Sequence, residues 1–236
     1  MRFITGLLLG VLCQGAIASA YDQIIDRQAR NHGVDPYVLR AIAQQESNKK
    51  PWTFNADGEG FHFETKAKAV NALWSLTKAP WLVKISPPEG GRVIRRFFPS
   101  RASATAFLNS YQRGRKVMNK AMLAVRQDAE KEVRRGEARI RRIWLLNTDI
   151  GIAQINYRYH GQGKASIQKW FDPSFNLGYA ARHIANLKKQ YHVGDVEAAG
   201  YYHSKTPSVR NKYLSSFKRK YEKERNSALG NRVAAN

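Results

Sequence analysis

Apolar positions along the chain recur mostly at three- and four-residue intervals, the spacing that gathers them on one face of an α-helix. Residues 21–32 carry Ile24, Ile25 and Ala29 on one side, and Gly33 follows as a fitting stop. The next segment, DPYVLRAIAQQES (35–47), opens on Asp35, a capping residue, and on Pro36, which suits a first turn. Its inward stripe runs Leu39, Ile42, Ala43 and then Glu46, just before SNKKP halts the helix. A carboxylate closing an apolar face raises a question, because acidic side chains are seldom buried without a partner. The plain alternative is that the stripe runs out at the edge of the core and Glu46 meets water.

Trp52–Asn55 and Phe61–Phe63 read as two short strands around a turn containing Asp57, Gly58 and Gly60. Thr65 then caps a helix reaching Leu76. FETKAKAVNAL (63–73) and FPSRASATAFL (98–108) echo one another as a unit of strand end, cap and helix. From Arg101 to Leu146 the pattern predicts a long basic helical stretch. Val117, Ala121, Met122 and Val125 face inward, Gly136 is a break, and Ile140, Ile143 and Trp144 return to a core. TDIGIAQIN (148–156) is a turn-rich block. Asp172 and Pro173 open a helix with Leu177, Ala180, Ala181, Ile184 and Leu187 on one face, and a short helix from Val196 ends in AAGYYHS. A last amphipathic helix uses Val209, Tyr213, Leu214, Phe217 and Tyr221, and residues 224–236 have little to bury and read as a disordered basic tail. The expected fold is mainly α within an α+β class. It is a helical domain over 21–223 with a small β-hairpin after Glu46 and a long helical insertion at about 65–147.

The opening MRFITGLLLGVLCQGAIASA has one Arg, an apolar run and small residues ending in Ala18-Ser19-Ala20, the pattern of a secretory signal peptide over 1–20. That run is shorter than the roughly 20 residues needed to span a bilayer, and no later segment reaches that length. The single cysteine, Cys13, lies inside it, so the exported protein is expected without disulfides, in a periplasm. The formal net charge of +22 favours polyanions such as nucleic acid, anionic lipid or an acidic wall polymer. Export argues against nucleic acid. The many Lys and Arg of the 101–146 stretch read either as a solvated helix face or as a basic contact surface. The six His are scattered without ligand spacing, so no metal and no cofactor are expected, and no nucleophile-elbow or phosphate-loop motif occurs. What remains is a carboxylate mechanism or no enzyme.

Four blocks carry a resemblance. YDQIIDRQARNHGVDPYVLRAIAQQES, DIGIAQIN, DPSFNLGYAARHIANL and AAGYYHS stand in the order found in the soluble lytic transglycosylase family, whose fold is goose-type-lysozyme-like. The chain is similar to small members tied to secretion and conjugation machines, where a Trp-Thr-hydrophobic-Asn segment also follows the Glu. The resemblance implies cleavage of the β-1,4 bond between N-acetylmuramic acid and N-acetylglucosamine in peptidoglycan, leaving a 1,6-anhydromuramic end. It implies Glu46 as catalytic acid and then base. Ser47, Gln154, Asn156, Tyr202 and His203 are the substrate-binding candidates. Ala153 stands where the family has Met, and His203-Ser204 replace Asn-Ala.

The opening question then has a physical reading. A glycosidic oxygen leaves poorly unless protonated, so the site needs a carboxyl that keeps its proton near neutrality. Burial among apolar neighbours raises a Glu pKa, and the negative end of its own helix adds to this. A hydrolytic lysozyme would need a second carboxylate, for which Asp57, Glu59, Glu64 and Asp149 are the candidates; Asp149 is best placed, though a local cap for its block also suits it. A basic wall-binding or assembly factor without activity is the alternative outside enzymes. Trp52, Trp81, Trp144 and Trp170 read as core.

Overall fold

The computed structural model describes residues 21–127 and 131–233, with side chains through residue 227. The segment read as a signal peptide, Cys13 included, lies outside the described residues. The chain is mixed α+β and mostly helical. It divides into two compact units, the second interrupting the first: Asn55–Phe61 with Ala67–Thr148 form the second unit, and the remaining described residues the first.

In the first unit, helix α1 spans residues 21–31 and ends at Gly33, whose φ of +63° lets the chain reverse. Helix α2 (Pro36–Ser47) starts as its sequence predicts. The Asp35 carboxylate accepts from Tyr37 N at 2.8 Å and Pro36 occupies the first turn. Leu39, Ile42 and Ala43 are fully buried. Three later helices, α6 (Pro173–Tyr191), α7 (Asp195–His203) and α8 (Pro207–Val233), pack on α2 and on one another. The predicted α6 stripe of Leu177, Ala180, Ala181, Ile184 and Leu187 is buried throughout. On α8 the buried face narrows to Tyr213 and Phe217, and Val209 is exposed. The helix continues to Val233, so the tail expected to be disordered from 224 is helical to that point. Glu224 there pairs with Lys49 at 2.8 Å.

Strands β1 (Thr53–Ala56) and β2 (Glu59–His62) form the expected hairpin, turning at Asp57 and Gly58, both at positive φ. They belong to a four-stranded sheet of order β2-β1-β7-β8, with β7 at Thr148–Ile150 and β8 at Ile155–Asn156. The chain passes from one unit to the other within this hairpin.

The second unit corrects the expectation of a helical insertion. After α3 (Lys66–Lys78) come β3 (Trp81–Ile85), β4 (Ile94–Phe98), α4 (Arg101–Val117), β5 (Ala124–Arg126) and β6 (Glu137–Arg142). The strands form a sheet of order β4-β3-β6-β5. The second half of the echo holds: β4 ends at Phe98, and Ser100 caps α4 in a reciprocal capping box with Ser103. One sheet face presents Val83, Ile85, Ala138 and Ile140 to Ala104 and Leu108 of α4, with Leu123 closing the core. On the other face, Arg126, Arg139, Lys84 and Arg95 stand side by side in register across all four strands.

Cations in that position need counter-charges. Glu59, 2% exposed, accepts from Lys84 at 3.1 Å and Arg141 at 3.0 Å. Asp57 accepts from Arg141 at 2.7 Å, Lys131 at 2.5 Å and Trp144 N at 3.2 Å. Of the residues expected to face inward from 101 to 146, those in and after the end of α4 do not, while Ile140 and Ile143 of the β6 region do. Val117, Ala121, Met122, Val125 and Trp144 are exposed, whereas Ile143 is buried and Ile140 packs against the core of the sheet. Leu108→Ala should cost about 3 kcal/mol of stability in urea unfolding, as buried Leu truncations do. Val117→Ala and Met122→Ala should each change it by less than about 0.5 kcal/mol.

Candidate active site

Glu46 sits in the last turn of α2, after which Asn48 takes a left-handed conformation and closes the helix on the Ala43 and Gln44 carbonyls. Its carboxyl lines a cavity of about 310 Å³ with Asp149, Gln154, Ile155, Asn156, Tyr202 and His203. A second opening of about 570 Å³, along α8, shares Glu46 and His203. Tyr213 Oη donates to Glu46 Oε1 at 2.8 Å, and the His203 ring stacks on Tyr213 with centroids 4.2 Å apart.

Burial pushes the Glu46 pKa up to about 7, and the nearby Asp149 adds to the rise; the Tyr213 hydrogen bond and Lys220 work against it without overcoming it. The carbonyls ending α2 act in the same raising direction. Asp149 is likewise raised by burial and is opposed by Asn156 Nδ2, which donates to its Oδ1 at 2.8 Å. Asp149 and Asn156 face each other across the β7–β8 pair.

The turn 151–154 between these strands is held from beneath by Asn176 of α6, which is fully buried. Its Nδ2 donates to the Ile150 carbonyl at 2.9 Å and the Trp170 carbonyl at 3.0 Å, while its Oδ1 accepts from Ala153 N at 2.9 Å. Gly151 has φ +81°, and a Cβ there would lie 2.5 Å from Asn176 Nδ2, so the turn needs glycine. Gln154 has φ +48°, and its side-chain amide folds back to donate to the Gly151 carbonyl at 2.8 Å. Tyr202 Oη donates to the Ala153 carbonyl at 2.5 Å, tying α7 to the same turn.

The structure thus brings Glu46, Gln154, Asn156, Tyr202 and His203 to one cavity. Ser47 is not among its walls. It is 4% exposed and donates to the Ile152 carbonyl at 2.7 Å, so it braces α2 against the turn. Ala153 is also fully buried, and Ile155 is the aliphatic residue of the cavity wall. Asp57 and Glu59 are engaged in the ion pairs of the second unit, and Glu64 is exposed and away from the cavity lining, which leaves Asp149 as the second carboxylate beside Glu46.

Four participants escaped the sequence reading. Tyr213 falls on a core-facing stripe of the sequence, and a buried phenol's need for a partner is the signal that it has another task. Tyr159 and the His160–His183 pair, with centroids 4.7 Å apart, also line the cavity. Burial lowers both imidazoles, His183 to about 4, so they are neutral at physiological pH. Nothing in their spacing marked them.

Among the described residues no group of three or more His, Cys, Asp or Glu is placed to hold a metal ion, and no helix is long and apolar enough to cross a membrane. Comparisons with family models, curated proteins and solved structures found no match to the chain.

A carboxyl whose folded pKa lies above its ordinary value of 4.5 stabilises the fold fully below 4.5, and that contribution is lost as pH rises through about 7. Glu46→Gln should therefore be more stable than the native protein by about 2 kcal/mol at pH 8, the figure being discounted for partial exposure. The gap should close as pH falls to 4.5. Urea denaturation across that range reads it directly.

Proposed function

We propose that the chain is a peptidoglycan lytic transglycosylase with a goose-type-lysozyme-like first unit, similar to the soluble lytic transglycosylase family. The observation that carries this reading is convergence. The first, second and fourth of the sequence blocks supply Glu46, the 149–156 turn and Tyr202-His203 to one cavity, and the third supplies the Asn176 that braces the turn. Blocks far apart in the chain meet around a carboxyl whose pKa lies near 7.

In this reading a glycan strand lies across Glu46. The protonated carboxyl gives its proton to the glycosidic oxygen as the bond from the muramic anomeric carbon to that oxygen breaks. The resulting carboxylate takes the proton of the muramic 6-hydroxyl, whose oxygen bonds to the anomeric carbon and closes the 1,6-anhydro ring. No water is consumed and no cofactor enters. Tyr213 donates to one carboxyl oxygen, leaving the other for the proton that moves. Because the acid must be protonated, the rate falls as pH rises through about 7. Export to a periplasm and recruitment by a secretion or conjugation machine belong to the same reading.

Asp149 beside Glu46 supports a second reading, hydrolysis by two carboxylates as in lysozymes. Digestion of purified sacculi followed by mass spectrometry separates the two. The expected products are muropeptides one water lighter than hydrolysis products, with Glu46→Gln slowing their release by about 100-fold or more. Ordinary reducing ends would replace this reading by hydrolysis through Asp149. Pelleting with sacculi and no products, under conditions where a known enzyme works, would make the chain a non-catalytic wall-binding factor.

A further inference from the structure

Ten large apolar side chains are exposed among the described residues, and five of them, Val93, Val117, Met118, Met122 and Val125, gather at one end of the second unit. The register places them there. Ile94, Ile85, Ala138 and Val125 form one row across the sheet, so the β3–β4 loop, the α4–β5 loop and the turn before β6 emerge at the same end. Helix α4, which begins after Phe98, runs back along the sheet and finishes there at Val117.

These side chains are held outward by a fastened loop. Leu123 is buried as its anchor, and Gln112 both donates to the Leu123 carbonyl at 2.9 Å and accepts from Leu123 N at 3.1 Å. Arg115 is 3% exposed, donates to the Ala121 carbonyl at 2.6 Å and clasps Glu89 of the β3–β4 loop at 2.8 Å. Ala124 N and Gly136 N extend the ties to Gly136 and Ser86, joining all three connections. With the backbone fixed in this way, Val117 is 85% and Met118 59% exposed. Apolar surface gathered on a rigid support marks a contact site.

The surrounding charge is predominantly positive. No Asp or Glu occurs from Arg101 to Gln127. Arg92, Lys116, Lys120 and Arg134 are exposed around the patch, while Glu89, Glu137 and the exposed Glu132 are engaged by Arg115, Arg126 and Lys84. Apolar side chains able to enter a headgroup layer, ringed by Lys and Arg, match an anionic lipid surface in both chemistry and sign. We propose that this end of the second unit is a peripheral membrane-contact face that seats on a bilayer containing anionic phospholipid. It holds the protein at the membrane independently of what Glu46 does.

Co-sedimentation of the purified protein with vesicles tests this, using equal parts phosphatidylglycerol and phosphatidylcholine against phosphatidylcholine alone. Binding should require phosphatidylglycerol and weaken steeply at high salt. The double variant Met118→Glu, Met122→Glu should weaken it at least tenfold with an unchanged circular dichroism spectrum. Leu146→Glu, beyond the opposite end of the sheet, should bind as the native protein does. Absence of vesicle binding would overturn the proposal and assign the face to a protein partner. Undiminished binding by the double variant would overturn it in favour of non-specific attraction by net charge.

Discussion

The first unit is arranged around a carboxyl placed where water is scarce. A Glu at the end of a buried helical stripe is costly in its charged form, and a helix C-terminus makes it costlier. The surrounding elements are what such a placement requires. Helix α8 brings Tyr213 to donate one hydrogen bond, α7 brings Tyr202 and His203 to wall the cavity, and Ser47 locks the helix end to the 151–154 turn. Asn176 fixes that turn through three bonds to backbone groups. The hydrogen bond from Tyr213 is strong enough to orient Glu46 and too weak to offset burial, so the pKa rises. A cation in Tyr213's place would have held the proton off.

The second unit shows the opposite treatment of the same chemistry. Burial would also raise the Asp57 carboxyl, but hydrogen bonds from Lys131, Trp144 N and Asn147, together with the Lys131 charge, bring it below its ordinary range. Asp57 and Glu59 serve as counter-ions to a face of the sheet that carries cations in register, and neither is available for proton transfer. Two kinds of buried carboxylate thus occur in one chain, and the partners decide which holds a proton.

What could be read from the sequence follows from this division. Helices α2 and α6 were legible because each buries one clean stripe behind a recognisable cap, as Asp35-Pro36 and Asp172-Pro173 show. The hairpin was legible from its glycine-rich turn. Strands β3, β4 and β6 were not, since EARIRR alternates apolar side chains with arginines that the fold neutralises on the far face. Read alone, those arginines belong to a solvated helix, and for Arg141 it is Asp57 and Glu59, distant in sequence, that supply the counter-charge. The site divided in the same way. Glu46, Gln154, Asn156 and Tyr202 lie in short blocks with local patterns, whereas Tyr213, His160, His183 and Asn176 act through tertiary neighbours. Ser47 enters the substrate-binding candidates through the resemblance alone, and its hydroxyl donates to the Ile152 carbonyl.

The central claim is that Glu46 keeps its proton to near neutrality. Titration of the protein with carbon-13-labelled Glu carboxyls, followed by NMR beside Glu46→Gln, measures it without any substrate. The account predicts one resonance titrating near pH 7 that is missing from the variant. A full set of Glu resonances titrating below about pH 5, the ordinary range for exposed carboxyls, would contradict it and remove Glu46 as an acid at neutral pH.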